Sequence, residues 1–191
     1  MNTANKLTLS RIGLAFVCMA LIIRGDIVSL IVSLIVFSLA SLTDLLDGHL
    51  ARKQKTVSDL GKILDPVADK VLVIGVFLAF LEKGVVNSWI VIVIMVREFL
   101  ITGLRLFALR QHKVMEAKTF GKHKTFTQSA AIMVIFILLI IERLAVSADA
   151  WPWFSAFRST AIFLIMVYVA VLTVVSGVLY LWLNRKVIKS L

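Results

Sequence analysis

A single cysteine, Cys18, excludes an intrachain disulfide, and its place inside an apolar stretch marks it as a buried filler. Histidine is almost as scarce. His49, His112 and His123 are scattered, so no His/Cys ligand set is available for a metal. Acidic residues number 11 against 21 lysines and arginines, and only 17% of the 191 residues are charged, too few for a soluble module. There is no internal repeat, low-complexity tract or domain linker. What remains is apolar. The chain is 60% hydrophobic, against roughly 45–50% for soluble globular domains, and the bilayer is therefore the expected solvent. In a soluble protein the net charge of +10 would suggest a nucleic-acid partner. Here the charge is distributed as a topology signal, and no nucleic acid is expected.

Six apolar segments can be read, at about 7–24, 27–51, 61–82, 86–111, 124–142 and 157–184. Backbone groups in hydrocarbon must be satisfied internally, and these segments lack the alternation of a barrel. The expected fold is all-α, a polytopic bundle of six transmembrane helices forming one domain over residues 1–191. The first segment has no small-residue cleavage site and is expected to be retained. Polar joints at Gly25-Asp26 and Glu82-Lys83-Gly84 mark turns on one side. The other side carries Arg52, Lys53, Lys55 and Lys62, then Arg110, Lys113, Lys118, Lys122 and Lys124, then Arg185, Lys186 and Lys189. The positive-inside rule places that side and both termini in the cytoplasm. Trp151, Pro152 and Trp153 suit the far interface, while Gly75, Gly103 and Gly177 are expected to permit close helix packing.

Four carboxylates interrupt this apolar pattern: Asp44, Asp47, Asp65 and Asp69. On helices the first pair is i, i+3 and the second i, i+4, so each pair presents its oxygens on one face. Carboxylates repel one another unless a cation neutralises them, and hard oxygens suit Mg²⁺ or Mn²⁺, with room for two ions. Acids in a membrane also serve ion pathways, so a divalent-cation transporter is an alternative from another class. Against it, no matching acidic pair lies in the last two segments to continue a path.

The full spacing is Asp44-x2-Asp47-Gly48-x2-Ala51-Arg52-x8-Gly61-x3-Asp65-x3-Asp69. It resembles the CDP-alcohol phosphotransferase family at all eight fixed positions. The resemblance implies a phosphatidyl transfer from CDP-diacylglycerol to an alcohol. It assigns Asp44, Asp47, Asp65 and Asp69 to metal, Asp69 also to the general base, and Gly48 and Arg52 to the CDP moiety. Gly48 and Ala51 leave room for a ligand against the helix backbone, and Arg52 supplies positive charge for a pyrophosphate. Gly61 belongs to the same pattern, and Ser58 in the following joint is a further CDP candidate. Asn5, Thr8 and Arg11 look like the family's N-terminal Asn-x-Leu-Thr-x-x-Arg segment, with Ala4 where a proline often precedes it.

Farther on, Arg97-Glu98-Phe99, Gly103-Leu104-Arg105, Gly121-Lys122-His123-Lys124-Thr125 and Gln128 resemble the phosphatidylglycerophosphate synthases of that family. The resemblance implies glycerol 3-phosphate as acceptor, with inositol phosphate, serine or another alcohol as the alternative. A phosphate-bearing acceptor needs cations, and Arg105, Lys122 and Lys124 are the expected ones. The lysines at this joint also read as topology charges, and Arg97 with Glu98 as either a structural pair or a substrate contact. Glu98 and Arg105, seven residues apart, are expected to share a face and an inward polar network with Thr102. A homodimer in an inner or plasma membrane, with its active site facing the cytoplasm, is what the resemblance and the charge pattern together imply.

Overall fold

The structure is a computed structural model that describes the backbone of residues 3–54, 59–111, 120–147 and 153–189. Side chains are described for residues 9–43, 70–108, 110–111, 124–144, 153–185 and 187–188. The element order is α1 (Thr3–Arg24), α2 (Ile27–Gln54), α3 (Asp59–Glu82), α4 (Ser88–Arg110), α5 (Phe120–Ser147), α6 (Phe154–Leu183) and a short α7 (Arg185–Lys189). There is no strand among the described residues. The long helices match the six apolar segments but outrun several of them. α5 starts before Lys124 and continues past Glu142, and α6 starts at Phe154. Hydropathy marks where side chains become polar, whereas the hydrogen-bonded backbone continues through such residues.

The turns follow from local chemistry. Gly25, at φ 75°, ends α1, and Asp26 then caps α2, its carboxylate accepting from the Ser29 amide at 3.0 Å and the Ser29 hydroxyl at 2.7 Å. Gly84, at φ 66°, ends α3. The Gly84 amide donates to Leu81 O and the Val85 amide to Phe80 O, each at 2.9 Å, which is the Schellman pattern. Asn87 caps α4 through a 2.9 Å bond from the Trp89 amide. The two glycine turns lie together, because the Lys83 ammonium donates to Ile23 O at 3.0 Å. The α1–α2 and α3–α4 connections therefore share one end of the bundle, as their polar joints predict.

Helix α1 packs against α2 and α3, α2 against α5, α5 against α6, α6 against α4, and α4 against α3, which closes a ring. Across its interior α3 also meets α5. Buried Phe37, Phe77, Phe80 and Phe136 fill the centre, and the Phe80 and Phe136 rings meet edge to face at 5.1 Å. On the α1 side Cys18 is buried as expected, but its thiol also lies 3.0 Å from the Ser33 hydroxyl, so it ties α1 to α2. Gly75 admits Met19, whose sulfur would stand 2.9 Å from an added Cβ. Gly103 departs from expectation. A Cβ there would meet nothing within 4 Å, so it makes no close helix contact.

The outer faces carry large apolar side chains, among them Phe16, Leu39, Val96, Phe99, Leu164 and Val178. A bilayer solvates such a surface, whereas water does not. Two described stretches, Lys124–Leu144 and Phe154–Leu183, are long and apolar enough to cross a membrane. Helix α4 differs because Arg97, Glu98 and Arg105 lie within it.

Candidate active site

Asp44, Asp47, Gly48, Ala51 and Arg52 lie on the C-terminal half of α2, and Gly61, Asp65 and Asp69 on the N-terminal half of α3. Side-chain placement at these positions, and Ser58 entirely, lie outside the described residues. The continuous backbone does set helical phase. Asp44 and Asp47 are about 60° apart around α2, and Asp65 and Asp69 about 40° apart around α3. Each pair therefore occupies one helix face. Asn5 and Thr8 lie on α1 and Lys122 on α5, again without described side chains, while Arg11 is buried in α1. A carboxylate-only donor set from two helices fits a hard divalent cation and offers nothing to a thiophilic one.

Three helices meet on one buried carboxylate, and α3 reaches it through Lys70, the residue after Asp69. Glu98, on α4 and 4% exposed, accepts through Oε2 from the Lys70 ammonium at 2.8 Å. Its Oε1 takes the Lys124 ammonium from α5, the Arg97 guanidinium at 3.2 Å, and the Gln128 amide at 3.4 Å. Arg97 also donates to the Ser176 hydroxyl on α6 at 3.0 Å, and Gln128 to Thr173 Oγ1 at 3.4 Å. Gly177 makes the approach possible, since an added Cβ would stand 3.0 Å from the Arg97 side chain. Burying a charge is tolerable only when it is paired and hydrogen-bonded, and each of these contacts contributes to that condition.

The expected inward polar network of Glu98, Thr102 and Arg105 is corrected at Arg105. Arg105 is exposed and lies over the Tyr180 ring, 5.6 Å from its centroid. Seven residues bring two side chains to one face of α4, but α6 lies against that helix and offers an aromatic ring to the outer cation. Lys124 does reach the interior, bound to Glu98. Sequence reasoning missed Lys70, Thr173 and Ser176. Lys70 could have been noticed as a cation in an apolar helix immediately after Asp69. Thr173 and Ser176 left no such signal, because hydroxyls in apolar helices commonly bond their own backbone.

A separate cavity of about 280 Å³ opens beside the α3–α4 turn, lined by Gly84, Asn87, Ile162, Phe163 and Met166 among others. Its lining contains no titratable group and lies at the opposite end from the aspartates. Unlike the carboxylate pairs of α2 and α3, that lining offers no group able to take up or release a proton.

Known proteins resemble this chain over most of its length. The sequence pattern described as CDP-alcohol phosphatidyltransferase matches residues 1–188. A CDP-diacylglycerol–glycerol-3-phosphate 3-phosphatidyltransferase of Bacillus subtilis (strain 168) is 34% identical over 201 aligned positions, covering 99% of this chain and 98% of that one. A protein of the same name from Rickettsia bellii (strain RML369-C) is 36% identical over 136 positions, 71% of this chain and 75% of its own. Another from Mycoplasma pneumoniae (strain ATCC 29342 / M129 / Subtype 1) is 35% identical over 129 positions, 66% of this chain and 57% of its own. With the eight-position aspartate pattern on adjoining halves of α2 and α3, and a match running almost end to end, the chain belongs to the CDP-alcohol phosphatidyltransferase family.

Proposed function

We propose that this protein transfers the phosphatidyl group of CDP-diacylglycerol to glycerol 3-phosphate, giving phosphatidylglycerol phosphate and CMP in phospholipid synthesis. The observation that carries this reading is the near full-length similarity to the Bacillus subtilis protein named for that reaction. The polar segments from Arg97 to Gln128 support it further. Asp44, Asp47, Asp65 and Asp69 would hold Mg²⁺ or Mn²⁺, as two ions, with Asp44, Asp47 and Asp65 on the first and Asp65 with Asp69 on the second. A metal held there would supply positive charge against the pyrophosphate, which favours CMP as leaving group. Gly48, Ala51, Arg52, Ser58 and Gly61, with Asn5 and Thr8 from α1, would bind the CDP moiety. Arg105, Lys122 and Lys124 would receive the acceptor phosphate.

In the reaction, the acceptor's 1-hydroxyl oxygen forms a bond to the β-phosphorus as the bond from that phosphorus to the CMP oxygen breaks. Asp69 takes the hydroxyl proton, and CMP leaves with the electron pair. Positioning and charge neutralisation supply most of the rate, since the transfer asks little covalent chemistry of the protein. The lipid tails stay in the bilayer. The six long helices would each span it, with both termini and the aspartates at the cytoplasmic face of an inner or plasma membrane, in a homodimer.

The test uses purified protein in detergent with CDP-diacylglycerol, Mg²⁺ or Mn²⁺ and glycerol 3-phosphate, following CMP and the lipid product. Asp69→Asn should lower the rate by about a hundredfold or more, the scale of positioned acid–base catalysis. CMP formed only with a different alcohol would overturn the acceptor assignment. No CMP from folded protein with any acceptor would overturn the reaction.

A further inference from the structure

The two oxygens of Glu98 divide between different parts of the proposed site. Oε2 holds Lys70, the residue directly after Asp69 on α3. Oε1 holds Lys124, on the opening turns of α5, together with Arg97 on α4, which is itself bonded to Ser176 of α6. From this geometry we propose that Glu98 is a positioning residue for the acceptor: it fixes the Lys124 ammonium relative to the α3 segment that carries Asp65 and Asp69. The proposal rests on the phosphatidyl-transfer reading above.

A carboxylate is a poor choice if packing alone is required. Apolar side chains of similar volume commonly equal or exceed a buried ion cluster in stability, and Ile94, one helical turn before Glu98, is fully buried on the same helix. What a carboxylate adds is direction. It places cations from three helices on two oxygens with fixed geometry, and bond-making requires the acceptor to approach within tenths of an ångström of the correct position. Lysine particularly needs such an anchor, since its ammonium is a point charge on a flexible four-carbon stem.

Removing the carboxylate charge has two opposed consequences. Freeing Lys124 electrostatically would tighten phosphate binding, whereas losing its fixed position would weaken productive binding. The positioning role requires the second to win. In Glu98→Gln, the KM for glycerol 3-phosphate should rise roughly tenfold, the scale seen when a group orienting a functional ligand is removed, with the KM for CDP-diacylglycerol unchanged within about twofold. A loss of folded protein alone would lower apparent kcat and leave both KM values in place, which would overturn the proposal. So would a fall in the acceptor KM. Glu98→Asp keeps the charge and shortens the side chain by one methylene. It should show a smaller rise in the same constant, and it decides the matter if the Gln variant does not fold: an unchanged acceptor KM in Asp overturns the role. Wild-type protein run in parallel separates the two readings. Active wild type with an unaffected Glu98 variant defeats only the positioning role. Activity with another alcohol moves the same KM comparison to that alcohol, and an inactive wild type defeats both.

Discussion

At the α1–α2 turn, the Ser29 hydroxyl and amide hold the Asp26 carboxyl below its ordinary value, and nearby Arg24 adds to the effect. Because the folded-state value lies below the unfolded one, the contribution to stability is present above the unfolded value, near pH ~4. It is lost as pH falls through the folded value. Asp26→Ala should therefore lower the Tm in detergent at pH 7, and the gap to wild type should narrow below about pH 4. A gap that persists unchanged at pH 3 would point to the side chain's shape rather than its charge. The same scale separates the acids. Asp44, Asp47, Asp65 and Asp69 were legible because residue type, helical spacing and apolar surroundings all point to one chemistry. Glu98 was legible as a costly charge. Its pairing with adjacent Arg97 was legible too, but its distant partners were not, since Lys70 is 28 positions away and Gln128 is 30.

Between elements, the glycine turns set which helix ends meet. Gly84 has open space around a hypothetical Cβ, so a substitution there tests backbone conformation alone. Gly84→Ala should cost about 1 kcal/mol, the penalty of the left-handed region for an L residue, measurable by reversible unfolding in mixed micelles. An unchanged stability would show that the turn relaxes to negative φ. Helix identities were readable from apolar length, and both turns from their short polar joints, Gly25-Asp26 and Glu82-Lys83-Gly84. Helix ends were less so. Gly121 to Lys124 and Glu142 to Ser147 are polar or mixed in sequence yet helical, because a helix terminates where its backbone bonding stops. The contrast between Gly75 and Gly103 belongs here as well. Both are helical glycines in apolar helices, and only Gly75 faces a neighbour closely enough for the absent Cβ to matter.

For the whole molecule, the ring from α1 through α2, α5, α6, α4 and α3 brings the N-terminal half of α3 to the same end as the start of α5 and the close of α6. That arrangement gives the cation-rich cluster a place near the aspartate helices. Chelation tests the proposed dependence of the assembly on metal. EDTA should reduce CMP release to background, and excess Mg²⁺ or Mn²⁺ should restore it, while Ca²⁺, with longer and less regular oxygen coordination, should restore much less. Full activity after exhaustive chelation would remove the metal from the proposal.

The sequence by itself determined the helical class, the six long elements, the aspartate pattern and, through that pattern, the family. These are properties of local composition and spacing, written within a turn or two of helix. Only the tertiary structure decided that Glu98 joins Lys70, Lys124 and Gln128 instead of Arg105, that Arg105 lies over Tyr180, and that Thr173 and Ser176 belong to the polar cluster. Each of those depends on which helix faces stand opposite one another. Helix pairing is set by side-chain volumes and glycine gaps across chain-distant segments, and no single helix encodes it.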